Sequence, residues 1–255
     1  MLEHSRLIVE AENAIKWIKE YVKKTNANGV VIGNSGGKDS ATVIAMLVRA
    51  LGKEKVITVA MPCNSILADL EDAKLVAKTF GVEFLEIDLT ETYQVLEKTI
   101  NKTMSNINIE LNKESKINIK PRLRMTSLYG IAQSLGFLVA GTGNLCEKMV
   151  GYTTKWGDSA CDFNPIANFT VEEVLEIGKY LGVPEKIINK APNDGLGGQT
   201  DEEKMGVTYK QIAEYIENGK TDVEAMKIIE KRNNLSRHKR NPIPTYEFER
   251  KIYLN

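Results

Sequence analysis

Four short apolar runs, separated by segments with helical periodicity, constrain this chain more than any other feature. The runs are Val30–Ile32, Val56–Met61, Val82–Asp88 and Phe137–Ala140. None shows the apolar/polar alternation of a strand with one wet face. Each therefore reads as a strand buried on both sides, which is the signature of a parallel sheet covered by helices on both faces. The helical segments between them span about residues 3–24, Asp39–Leu51, Ala68–Phe80, Thr90–Met104 and Lys120–Leu135. In the first, Ile8, Ala11, Ile15, Ile18 and Val22 fall on one stripe. The expected fold is an α/β doubly wound parallel sheet, followed after residue 145 by a helical C-terminal part. Ligands of such sheets bind at the carboxyl ends of the strands.

Two segments occupy those ends. Gly33-Asn34-Ser35-Gly36-Gly37-Lys38-Asp39-Ser40 joins the first strand to its helix, and Gly141-Thr142-Gly143-Asn144 follows the fourth. A strand that turns sharply into a helix through Ser-Gly-Gly points backbone N–H groups at an anion. Gly36 and Gly37 allow close approach, and Ser35 and Ser40 add hydroxyls. A Walker A loop does not fit, because counting from Gly33 puts Lys38 where the second glycine belongs. The dinucleotide fingerprint is absent from the loop as well. Asp39 is the informative residue. A carboxylate beside a phosphate nest repels it unless a cation lies between, and Mg²⁺ takes oxygens from carboxylates and phosphates together.

Composition limits the alternatives. The 255 residues carry 34 Lys and Arg against 34 Asp and Glu, so no global field recruits nucleic acid or an anionic membrane. Cys63, Cys146 and Cys161 are widely spaced and form no metal or disulfide pattern, as expected for a cytoplasmic protein. No leader-like apolar segment opens the chain, and no run approaches the ~20 residues of a membrane span. Ser105–Ile119, polar and without period, and the Gly-rich Ala191–Gln199 are the candidate mobile loops, with closure over a ligand expected of about residues 105–118 and 193–200. Thr170-x-x-Glu173, Thr208-x-x-Gln211 and Thr221-x-x-Glu224 have capping-box spacing and mark helix starts in the C-terminal part.

Three further segments stand out: Lys120-Pro121-Arg122-Leu123-Arg124-Met125, Gly141-Thr142-Gly143-Asn144-Leu145-Cys146-Glu147, and Gly151-Tyr152-Thr153-Thr154-Lys155-Trp156-Gly157-Asp158-Ser159-Ala160-Cys161-Asp162. Together with Ser-Gly-Gly-x-Asp-Ser and His238-Lys239, they resemble the ammonia-dependent NAD synthetase family from about residue 5 to residue 245. The loop alone marks only the wider superfamily of AMP-forming ATP pyrophosphatases. The Thr-Lys-x-Gly-Asp segment narrows it.

The resemblance implies an adenine nucleotide alpha hydrolase-like fold in one domain spanning 1–255. It also implies a reaction: ATP and Mg²⁺ activate the carboxylate of deamido-NAD⁺ as an acyl-adenylate, and ammonia displaces AMP to give NAD⁺. Gly33, Asn34, Ser35, Gly36, Gly37, Lys38, Asp39 and Ser40 would hold ATP with Thr142 and Asn193. Asp39 and Glu147 would bind the metal. Arg122, Lys155, Asp162, His238 and Lys239 would meet deamido-NAD⁺. A homodimer with the substrate site across its interface is implied too. Two positions depart from the family pattern: Val171 stands where a lysine is common, and Asn193 where a hydroxyl residue is common. A different ligase or thiolase of the superfamily, acting on a nucleotide or tRNA, and a non-catalytic ATP sensor are the competing readings.

Overall fold

The computed structural model describes residues 2–64, 67–190 and 200–246. The first part of the chain runs α1 (His4–Lys24), β1 (Gly29–Gly33), α2 (Lys38–Leu51), β2 (Val56–Ala60), α3 (Leu67–Phe80), β3 (Glu83–Glu86), α4 (Thr90–Met104), α5 (Lys113–Leu135) and β4 (Phe137–Ala140). The second is helical, with α6 (Leu145–Val150), α7 (Val171–Tyr180), α8 (Glu185–Ile188), α9 (Asp201–Met205), α10 (Tyr209–Asn218), α11 (Val223–Leu235) and α12 (Arg237–Arg240).

The four strands are parallel in the order β3-β2-β1-β4. Val30 of β1 pairs with Val56 of β2 on one side and Leu138 of β4 on the other. The chain builds outward from β1 to β3, then returns to place β4 beside β1 on the opposite flank. That reversal puts the crevice between the ends of β1 and β4, where doubly wound sheets bind ligands.

Alternate residues of β1 serve opposite cores. Val30 and Ile32 pack with α1, α2 and α7, whereas Val31 packs with Val139, Val59 and residues of α4 and α5. Both faces of β1 and most of β2 are dry, which accounts for their uninterrupted apolar runs, whereas β3, expected to be buried on both sides, is an edge strand with Glu83 and Glu86 exposed. The buried stripe of α1 comprises Leu7, Ala11, Ile15, Ile18 and Val22, so Leu7 rather than Ile8 begins it. A third cluster, built on α6, α10 and α11, holds the C-terminal part together.

Several boundaries differ from the sequence reading. Helix α5 begins at Lys113, not Lys120, and Pro121 lies inside it. The Asn112 side chain accepts from Ser115 N at 2.8 Å and caps the start. Most of the first two turns of α5 are only partly buried, so they show no apolar period, and most of the expected 105–118 loop is thus helix or a tight turn. β3 is shorter than Val82–Asp88. Thr170 and Thr208 do close capping boxes, as does Thr200. Thr221 does not: Asp222 caps α11, accepting from Glu224 N and Ala225 N. Residues 191–199 lie outside the described residues. Among the described residues no helix is long and apolar enough to cross a membrane.

Ile32 is fully buried at the sheet centre. Ile32→Ala should lower unfolding free energy by about 3 kcal/mol, the usual cost of a large core truncation, measured by urea denaturation. A loss below about 1 kcal/mol would show that this layer is not close-packed.

Candidate active site

The loop after β1 is rigid by construction. Asn34 N donates to Val59 O at 2.8 Å and carries the strand pairing one residue further. The buried Asn34 side chain then works in both directions. Its Nδ2 donates to Ala73 O of α3 at 2.9 Å, and its Oδ1 accepts from Gly36 N at 3.1 Å. Gly36 has φ +70°, and a Cβ there would sit 2.5 Å from Asp69 O and 2.8 Å from Ala73 N. Only glycine fits both the left-handed backbone and the contact with α3. Ser35 Oγ accepts from Gly37 N, lies 3.1 Å from Ser40 Oγ, and Ser40 Oγ donates to Gly37 O. The first intrahelical bond is Ala41 N to Gly37 O. The N–H groups of Lys38, Asp39 and Ser40 precede it and have no carbonyl of their own helix to bond, which leaves them for an anion.

Across the crevice, Asn144 caps α6. Its Oδ1 accepts from Glu147 N at 3.0 Å, and its N donates to Glu147 Oε2 at 2.9 Å. Its Nδ2 also donates to Asp39 Oδ1 at 3.4 Å. One asparagine thus links the two expected metal carboxylates. Burial raises the Asp39 carboxyl above its ordinary range, against the pull of Lys38 and Asn144. Burial raises Glu147 well above its range, and the Asp39 charge adds to the rise. Asp39 and Glu147 are both half-buried, and two like charges so placed repel unless a cation lies between them or one carries a proton.

The residues fit Mg²⁺. Among the described residues no group of three or more His, Cys, Asp or Glu could hold a metal on protein ligands alone. Two carboxylates beside a phosphate cradle suit an ion that takes its remaining oxygens from phosphates and water.

Lys38 does not face solvent. Its side chain is 9% exposed, with Nζ 3.9 Å from Asp39 Oδ2 and 6.0 Å from the centre of the Tyr209 ring. Tyr209 and Tyr152 donate their hydroxyls to the two oxygens of Asp201. Burial, with Glu147, Asp201 and Asp39 adding, raises the Tyr209 phenol far above its ordinary range, so it stays a neutral donor. From sequence, Asn144 is placed only in the loop after β4, and Tyr209 and Asp201 have no assigned role. The Asn144-x-x-Glu147 capping spacing is a signal for Asn144 alone. Val171 opens α7 and is buried in the apolar cluster with Cys146 and Tyr209.

The remaining expected residues divide into three places. Arg122 of α5 donates through Nε to Lys155 O at 3.2 Å, which joins the first two substrate candidates. Lys155 Nζ lies 5.2 Å from the centre of the Trp156 ring, and Trp156 has φ +64°. Asp162 sits elsewhere, along the outer edge of β4, where its N donates to Val139 O, its Oδ2 accepts from Val139 N and its Oδ1 from the Tyr129 hydroxyl. His238 is exposed, whereas Lys239 Nζ donates to Gly151 O at 2.7 Å and Thr153 O at 2.6 Å. Thr142 lies half-buried in the loop after β4, whose Gly141 N donates to Phe163 O. Asn193 lies outside the described residues.

A parallel sheet, an N–H cradle at its switch point and an acidic pair beside that cradle define a nucleotide-binding α/β protein of the adenine nucleotide alpha hydrolase-like class. The NAD synthase family model matches residues 10–251, and the chain belongs to that family. The NH(3)-dependent NAD(+) synthetase of Carboxydothermus hydrogenoformans is 43% identical over 232 residues, covering 91% of this chain and 94% of the relative. The solved NMN synthetase of Francisella tularensis superposes with a TM-score of 0.88 at 33% identity, covering 97% of this chain and 100% of that one. The NH3-dependent NAD synthetase of Campylobacter jejuni gives 0.78 at 28% identity, with coverage of 97% and 100%.

The raised carboxyl pKa values carry a sign. The folded state holds protons that the unfolded state releases, so metal-free stability falls as pH rises above the ordinary carboxylate range. Glu147→Gln keeps the cap on Asn144 and removes one charge. It should stabilise the protein in EDTA at neutral pH by about 1 kcal/mol, seen as a higher melting temperature. A lower melting temperature would contradict a buried like-charge pair.

Proposed function

We propose that the chain catalyses ATP- and Mg²⁺-dependent amidation of deamido-NAD⁺ by ammonia, yielding NAD⁺, AMP and pyrophosphate, with the whole chain acting as one catalytic domain. The observation that carries this reading is the Asp39–Asn144–Glu147 bridge beside the N–H cradle of Gly36–Ser40. It is suited to a polyphosphate that arrives with its cation.

The acceptor carboxylate attacks the α-phosphorus of ATP, the bond to the β-phosphate oxygen breaks, and pyrophosphate leaves. Ammonia then adds to the acyl carbon, AMP departs, and the nitrogen loses a proton to solvent. Mg²⁺, when bound by Asp39 and Glu147, neutralises charge on the phosphates. The loop N–H groups and the Ser35 and Ser40 hydroxyls orient the phosphates, with Thr142 and Asn193 as further ATP contacts. Lys38, held against Tyr209, supplies fixed positive charge where pyrophosphate forms.

Arg122 and Lys155, joined by their hydrogen bond, form one anion-binding pair for the dinucleotide, and Asp162 and His238 complete its contacts. Lys239 has two of its three N–H groups engaged by carbonyls. Burial raises the Cys146 thiol to about 12 and lifts Cys161 as well. Neither offers the thiolate that sulfur transfer requires, which disfavours a thiolase.

A second acceptor, the deamidated mononucleotide, is favoured by the likeness to the Francisella NMN synthetase. It presents the same carboxylate without the adenylate half. Assays with each acceptor in parallel separate the two. A homodimer is also proposed, formed through the face of α4 and the turn after it, where Val95, Ile107 and Ile109 are exposed. The reaction is placed in the cytoplasm, where ATP is available.

Purified protein with ATP, Mg²⁺, ammonium and deamido-NAD⁺ should form NAD⁺, AMP and pyrophosphate in equal amounts, with ammonium used in preference to glutamine. ADP as the product would overturn the reading. Asp39→Asn should fold normally yet lose at least about a hundredfold in turnover. Near-normal turnover would remove Asp39 from the metal site. Sedimentation should give a dimer that Ile107→Lys weakens; a monomeric parent protein would place the substrate site within one chain.

A further inference from the structure

We infer that Lys239 is a positioning residue. With Asn233 and Arg240 it clamps the short helix that carries Glu147 to the loop that carries Lys155, so that the metal side and the substrate side of the site are set together. This inference rests on the amidation reading above.

Helix α6 has six residues, too few to be stable alone, and its last carbonyls have no partner within it. The C-terminal corner supplies those partners. Arg240 Nη1 donates to Lys148 O at 3.2 Å, and Asn233 Nδ2 donates to Met149 O at 2.7 Å. Lys239 Nζ takes Gly151 O and Thr153 O, on the two sides of Tyr152. Ser236 lies so close that a Cβ on Gly151 would fall 2.1 Å from Ser236 Cβ. The corner is tied in turn: Arg240 Nη2 donates to Asn233 O, Arg240 Nη1 donates to Ser236 Oγ, and Arg232 Nη2 donates to Lys204 O next to Asp201 and Met205.

One end of this assembly is Glu147, capped on Asn144 and linked to Asp39. The other is Thr154–Asp158. There Asp158 accepts from Thr154 N, Thr154 Oγ1 donates to Asn118 of α5, and Lys155 O receives Arg122. Lys239 therefore sits at the junction of two separately anchored pieces. Its ammonium is half-buried and aimed at backbone, unlike the neighbouring exposed His238 and Arg237. A residue of this kind affects both ligands through what it holds. A substrate ligand affects one.

The test is Lys239→Met, Lys239→Arg and Asn233→Ala in the full-length chain. Lys239→Met should raise the KM for deamido-NAD⁺ and the half-saturating Mg²⁺·ATP concentration together, each by about tenfold, the scale of a lost charge-assisted bond. Lys239→Arg should restore most of both, because guanidinium can still donate to two carbonyls. Asn233→Ala, which removes the contacts to Met149 O and Sδ, should show the same paired rise at smaller size. Hydrogen exchange on ligand-free protein should quicken at the Tyr152, Thr153 and Thr154 amides in Lys239→Met and stay unchanged in β1 and β2. A rise confined to the deamido-NAD⁺ KM, with unchanged exchange, would make Lys239 a direct substrate ligand and overturn the clamp. Should the parent protein form no amide, the amidation reading fails, while the exchange comparison still decides the clamp. If Lys239→Met does not fold, Asn233→Ala decides it by the same two outcomes.

Discussion

Two half-buried carboxylates held near one another are the constraint around which this molecule is arranged. Asp39 stands in the first turn of α2 and Glu147 in the first turn of α6. A helix start favours a negative charge, which offsets part of their repulsion and burial. Asn144 offsets more, since it donates from its backbone to one and from its side chain to the other. What is left unbalanced is charge that, on the proposed reading, a cation arriving with a polyphosphate would neutralise. The switch point makes this possible, because α2 follows β1 and α6 follows β4, adjacent strands reached by chain segments far apart in sequence.

Charge within the site follows the same logic. Val171 is enclosed by Cys146, Tyr209 and other apolar groups, so the start of α7 presents no cation. Lys38 lies against the same Tyr209 ring and close to Asp39. Its stem is buried, so its ammonium has few positions to choose from and, on the proposed reading, would lose little freedom on meeting a phosphate. A lysine in the variable position of a Ser-Gly-Gly-x-Asp-Ser loop thus supplies a local positive charge that α7 does not.

Much of this was legible in the sequence, for identifiable reasons. The alternation of doubly apolar strands with amphipathic helices required a covered parallel sheet, and the loops after β1 and β4 had to meet at its end. Helix α5 was misjudged at its start because Asn112 supplies the cap while the first turns are wet, and because Pro121 ordinarily argues for a boundary. Packing of Ile119 and Met125 against the sheet overrides that preference. Asn144 was missed as a bridge because sequence shows which side chains can donate but not which carboxylate lies across a crevice. Lys239 shows the same limit from the other side: a basic run reads as a charge, and only the fold reveals the carbonyls it serves.

The reaction also explains why the two halves are built differently. Phosphates need a fixed cradle, and the β1–α2 loop is locked through Asn34 and Gly36 against α3, with α3 pinned where Lys186 of α8 and Lys190, just beyond it, meet Asp72. The acceptor carboxylate must instead reach the α-phosphorus and afterwards leave as an amide. On the proposed reading its side is the loop Gly151–Asp162, held by side chains of α5 and α12 over most of its length and by β4 only at Asp162. Because that loop continues directly from α6, any shift in it is passed to Glu147. On the proposed reading, α6 would carry the metal ligand Glu147 and run directly into the substrate loop, so that covalent connection and a few carbonyl contacts would couple the two binding events.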